Sequence, residues 1–152
     1  MNRKDAVERA FRLHDGFEDD DEEYVVTTTP FDGSVTVDDS IEVTVRMPTL
    51  SAVVTDEPVA DVVESGWFET LELRLEDAHS VVSADDATPP TVERAGDEVV
   101  LSVEFSGSDK AADDAKAIVD FAEGTWMQGI IPGYEYGEPA AGMLNRAHQQ
   151  YD

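Results

Sequence analysis

The chain has 152 residues, a net charge of -25 and no cysteine. That length suits a single domain, residues 1–152, able to bury about two thirds of its unfolded surface. The missing thiols exclude disulfides, thiolate metal sites and a cysteine nucleophile.

Ten Lys and Arg stand against 35 Asp and Glu. Nucleic acid and anionic membranes are therefore excluded as partners, because phosphate binding works through basic side chains. No apolar run approaches the roughly 20 residues that span a bilayer. The opening MNRKDAVERAFRLHD lacks the apolar core of a signal peptide, so a soluble cytoplasmic protein is expected. High acidity alone reads as disorder, but 41% of residues are hydrophobic and fall in periodic segments. A folded chain so charged repels itself in ordinary buffer. At ~1 M salt the Debye length is about 3 Å and most of that repulsion is screened. Acids scattered over the whole chain, with only three lysines, point to a salt-rich cytosol such as that of halophilic archaea. The acidity then describes the solvent more than the ligand. Carboxylates mimicking DNA would need to gather on one face, which the scatter argues against.

Asn2 caps a first helix, whose Val7, Ala10, Phe11 and His14 share one face. Asp15-Gly16 stops it, and Phe17 folds back onto it. The run EDDDEE over 18–23 reads as a solvated connection. Residues 24–30 read as a strand. A turn at Phe31-Asp32-Gly33 leads into another at 34–37. IEVTVRM over 41–47 alternates, with Ile41, Val43, Val45 and Met47 on one face, as in a half-buried antiparallel strand. Thr55-Asp56-Glu57-Pro58 reads as a helix start. The stripe below it is Val59, Val62, Val63, Trp67, Leu71, Leu75 and Ala78. Gly66 within it marks a kink or a close backbone approach. A loop at 83–90 precedes a hairpin, 91–94 and 98–105, around Ala95-Gly96-Asp97. Ser108 caps a third helix carrying Ala111, Ala115, Ile118, Val119 and Ala122, with Gly124 closing it as a C′ glycine. A short last helix follows within 138–150. The order is α-β-β-β-α-β-β-α plus an aromatic segment and that helix. The fold class is α+β: an antiparallel sheet of about five strands with helices packed on one face.

Candidate chemistry is sparse. Asp19, Asp21 and Glu23 alternate like the start of a calcium loop, but the sixth and twelfth positions hold Tyr24 and Pro30 where Gly and Glu are needed. His14, His79 and His148 have no second ligand at metal spacing. Gly107-Ser108-Asp109 is a helix cap rather than a nucleophile elbow. No phosphate-cradling glycine loop is present. No catalytic residue, metal ligand or cofactor is assigned.

The exception to the acidity is GTWMQGIIPGYEYG, residues 124–137, with one charge, Glu135, and four glycines. Its structural reading places Trp126, Met127, Ile130 and Ile131 in the core, with a Pro132-Gly133 turn. Its functional reading makes Trp126, Met127, Tyr134 and Tyr136, with Trp67 as a further aromatic, the binding or interface residues. Aromatics and Met are favoured at interfaces, and Tyr134 and Tyr136 share a face in extended chain.

The stretches TTTPFDGSVTV, VRMPTL, GWFETLELRLEDA and EGTWMQGIIPGYEYGEP resemble an uncharacterised family of small acidic haloarchaeal proteins. That resemblance implies haloarchaeal origin and carries no site residue. The element order is also similar to that of type III secretion chaperones, dimers that bind other proteins; this likeness is one of topology alone. The leading expectation is a non-catalytic interaction module, homodimeric or bound to another protein. The alternative is a small-molecule-binding protein or enzyme with a pocket near 124–137 and an acid such as Glu135 beside Tyr134.

Overall fold

The computed structural model describes residues 3–20 and 22–151. The proposed cap Asn2, the acid Asp21 and the His148 side chain lie outside the described residues. Helix α1 is Arg3–Leu13. Strands β1 (Phe17–Asp20), β2 (Glu23–Val26), β3 (Asp32–Val37) and β4 (Ile41–Pro48) follow, then the one-turn helix α2 (Leu50–Val53) and α3 (Asp61–Leu75). A 3-10 turn at Ala78–Val81 leads to β5 (Thr91–Ala95), β6 (Glu98–Phe105), α4 (Ala111–Gln128) and α5 (Ala140–Tyr151).

The strands form one antiparallel sheet of six, in the order β1-β2-β3-β4-β6-β5. Strand β4 is its spine, paired with β6 from Ile41↔Phe105 to Pro48↔Glu98 and with β3 from Asp32↔Arg46 to Val37↔Ile41. The period of two decides which face is covered. Ile41, Val43, Val45 and Met47 of β4 are buried, as are Val99, Leu101, Val103 and Phe105 of β6. Helix α4 packs on β4, α1 packs on β1 and β3 and on α4, and α3 packs on α4. The opposite face carries Glu42, Thr44, Arg46, Ser102 and Glu104, all exposed or half-buried. The helices therefore lie on one face.

Several local readings are corrected. The acidic run 18–23 is the β1–β2 hairpin, with Phe17↔Val26 and Asp20↔Glu23 paired, which raises the strand number to six. Only Phe17 of β1 is buried, so no apolar alternation marked the strand. At a sheet edge one anchor suffices, and the outer charges discourage further pairing. Strand β2 stops at Val26, and 27–31 bend away. Residues 55–58 are not helical; α3 starts at Asp61 because the earlier segment is held extended against 135–137. Gly66 is exposed, and a Cβ there would meet no atom within 4 Å. It neither admits a close backbone nor interrupts α3.

Helix α4 runs through Gly124 to Gln128. Gly124 points to open space, whereas Ile118, Ala122 and Trp126 continue the buried stripe at intervals of four. Burial of Trp126 outweighs the ~1 kcal/mol cost of a helical glycine. The cap is Gly129, whose N–H bonds to the Trp126 and Met127 carbonyls.

Some acids have structural work. Asp114 takes both the N–H and the hydroxyl of Ser83, at 3.0 and 2.8 Å. Glu64 does the same with Ser51, at 3.1 and 2.5 Å, and Asp86 with Ser106. Each ties a loop or helix start to a distant element, using a charge-assisted acceptor.

Candidate binding groove

The site is built on two tryptophans. Trp126 is 1% exposed. Its Nε1–H donates to the Pro48 carbonyl at 3.0 Å, which fastens α4 to the end of β4 and satisfies the buried indole. Its ring meets Phe31 and Trp67 edge to face, with centroids 5.4 and 6.4 Å away. Trp126 thus belongs to the core and acts on the site by holding Trp67. At Gly129 the backbone passes close to Trp67. A Cβ there would stand 3.1 Å from Trp67 Nε1 and 3.3 Å from the Trp126 carbonyl.

The chain after Gly129 is pinned at both ends. Gly133, with φ of 102°, completes the Pro132-Gly133 turn in the region that favours glycine. The Tyr136 hydroxyl donates to the Ile131 carbonyl at 2.8 Å and accepts from the Ile131 N–H at 2.9 Å. Burial raises the Tyr136 pKa above 10.0, and the Asp56 charge adds to this, against the bond from Ile131. Tyr136 pairs with Val54 as an isolated antiparallel bridge. Thr55 N–H donates to the Glu135 carbonyl at 2.9 Å, and Gly137 N–H to the Val53 carbonyl at 2.7 Å. Tyr134, Tyr136 and Met127 are partly buried against the core. Segment 129–137 is a braced loop and not a loose lid.

Between the end of α4 and α3 this bracing leaves a groove of about 310 Å³. Helix α3 supplies Gly66, Trp67, Thr70, Leu71 and Arg74. The other wall is Thr125, Gln128, Gly129, Ile130 and Ile131. No carboxylate lines it, although the chain has 35 acids. Its one cation is Arg74, and among the described residues no carboxylate comes within ion-pair distance of that side chain. The hydroxyl of Thr70 is used locally, donating to the Gly66 carbonyl at 2.9 Å. The groove offers apolar surface, an indole edge, an amide and a guanidinium. That is equipment for binding.

Of the five residues singled out from sequence, Trp67 lines the groove and Trp126 supports it from below. Met127, Tyr134 and Tyr136 brace the segment that forms its wall. Glu135 is exposed, with its N–H bonded to Asp56 at 3.1 Å, and does not line the groove. Arg74, Leu71, Thr70 and Gln128 were missed. The available signal was an Arg at i+7 from Trp67, on the flank of the apolar stripe.

The histidines serve elsewhere. His14 Nδ1 accepts from the Gly16 N–H at 3.0 Å, which leaves Nε2–H for Asp113 at 3.0 Å. His79 Nδ1 is buried without a hydrogen-bond partner among the described residues. No group of three His, Asp or Glu side chains able to hold a metal occurs among the described residues. No helix among them is long and apolar enough to cross a membrane.

The family described as a family of unknown function, DUF5813, matches residues 12–146. The chain belongs to this family. No curated protein and no solved structure matches it. The matched DUF5813 region contains both helices of the groove and the whole braced segment.

Proposed function

We propose that this DUF5813 protein is a non-catalytic binding module, folded as one domain, whose ligand site is the groove between α3 and the end of α4. The observation that carries the reading is the groove's composition: no acid among its lining residues in a chain of 35 Asp and Glu. A volume of about 310 Å³ lies at the small end of the range for small-molecule sites. Nile red, an uncharged dye that brightens in apolar surroundings, tests it. In high salt the wild type should enhance its emission. Gly66→Trp should abolish the enhancement, because it fills the groove from an exposed helical position where an added Cβ meets no atom within 4 Å. Emission that is absent, or unchanged in that variant, defeats the reading.

The working environment belongs to the same proposal: a salt-rich, haloarchaeal cytoplasm. Three Lys or Arg side chains, Lys4, Arg46 and Lys116, stand within ion-pair distance of a carboxylate among the described residues, so most of the 35 acids rely on dissolved cations.

Homodimerisation is a second reading, supported by a different face. Val62 and Leu73 are 79% and 64% exposed and lie three turns apart on one side of α3. Light scattering in high salt should show a dimer that Leu73→Glu converts to monomer. A wild-type monomer ends this reading and leaves the groove untouched.

A further inference from the structure

This inference rests on the groove being a binding site. We propose that its occupant is a small apolar carboxylate, its anionic end on the Arg74 guanidinium and its body along Trp67, Leu71, Ile130 and Ile131.

Like Arg74, Arg9, Arg12, Lys110 and Arg146 stand without an ion pair among the described residues; Arg74 is set apart by its place in a groove lined by no acid, whereas the cleft beside Arg9 includes Asp109. Lys116 is paired with Asp120 at 2.7 Å and Lys4 with Asp38 at 3.7 Å. Arg46 reaches Glu98 at 4.0 Å, and Arg94 lies over the Phe68 ring, 5.4 Å from its centroid. Arg74 has no such partner among the described residues, and it stands at a groove whose lining contains no acid to neutralise it or to repel an anion. Guanidinium is built for bidentate pairing with a carboxylate. A dianionic phosphate is a poorer fit, since one cation cannot balance two charges within a field of -25. A cationic ligand would find no carboxylate in the lining. A neutral one would leave Arg74 unused. The walls decide the remainder of the molecule: an indole, a leucine and two isoleucines give a surface for an alkyl or aryl body. A groove of about 310 Å³ suits a body of roughly eight to ten carbons.

Octanoate and octanol share a chain and differ in charge. Calorimetric titration of each into the wild type and into Arg74→Gln, in high salt, tests the assignment. Arg74 is exposed on α3, so Gln there should leave the fold intact, which circular dichroism verifies. Octanoate should bind the wild type about tenfold more tightly than octanol, the order expected of one charge-assisted pair. Arg74→Gln should erase that preference while octanol affinity stays the same. Equal affinities in the wild type, an octanoate preference that survives Arg74→Gln, or no binding of either compound overturns the assignment. Nile red separates the two levels. If the dye still binds and Gly66→Trp still removes it, the groove stands and only the carboxylate fails. If the dye fails as well, both fail.

Discussion

The open face of the sheet and the α3–α4 groove are both solvent-facing, yet they are built by opposite rules. On the sheet, Glu42 stands directly across from Glu104 on neighbouring strands, an arrangement that repels in dilute buffer. In the groove no carboxylate appears at all. The first surface tolerates self-repulsion and depends on salt to screen it. The second has no such burden, so its composition answers to shape and apolar contact. The difference separates what the solvent imposes on this chain from what a ligand would impose.

The sharpest way to break the comparison is to remove what supports the groove. Trp126→Ala deletes a ring that is 1% exposed, together with its bond to Pro48. It should cost about 3–5 kcal/mol in chemical denaturation. Trp67→Ala should cost less and still eliminate dye binding. Equal costs would mean that Trp67 is only a core residue. Next in size is salt. Raising KCl from ~0.1 M to ~2 M should raise Tm by about 10 °C or more, as repulsion is screened. A melting temperature indifferent to salt would sink the account of the acidic face.

A smaller effect probes the braced wall. Tyr136→Phe removes a hydroxyl that both donates to and accepts from Ile131, for about 1 kcal/mol. Because the folded pKa lies above 10.0, the wild type holds this advantage fully below pH 10. It loses the advantage as pH rises from the unfolded value through the folded one. Paired denaturation curves at neutral and strongly alkaline pH should show the gap closing. Smallest of all, Glu42→Gln should stabilise by a few tenths of a kcal/mol in dilute buffer and by nothing in high salt. A gain that persists in high salt would contradict the screening argument.

Much of the fold was legible. The alternation of β4 and β6 and the stripes of α1 and α4 carry their own periods; the expected α3 stripe holds only at Trp67, Leu71 and Leu75, since Val62 is 79% exposed and Val59 and Ala78 lie outside the helix. Strand β1 was hidden because an edge strand with a single buried residue has no alternation to read. Helix α2 was hidden because four residues cannot show a period. The end of α4 was misplaced because Gly124 looks like a stop until Trp126 is known to bury. The site was half legible. The charge-poor segment announced its wall and Trp67 its floor. Arg74 stands two turns from Trp67 on the flank of the stripe, but its place in the groove depends on α3 packing against α4, which no local pattern encodes.

The central claim is that the groove binds. Amide chemical shifts of the labelled protein, recorded in high salt with and without octanoate, test it most directly. The account predicts shifts concentrated between Gly66 and Arg74 and between Thr125 and Ile131. Shifts gathered elsewhere, such as the cleft beside Lys4 and Gly107, or no shifts at all, would contradict it.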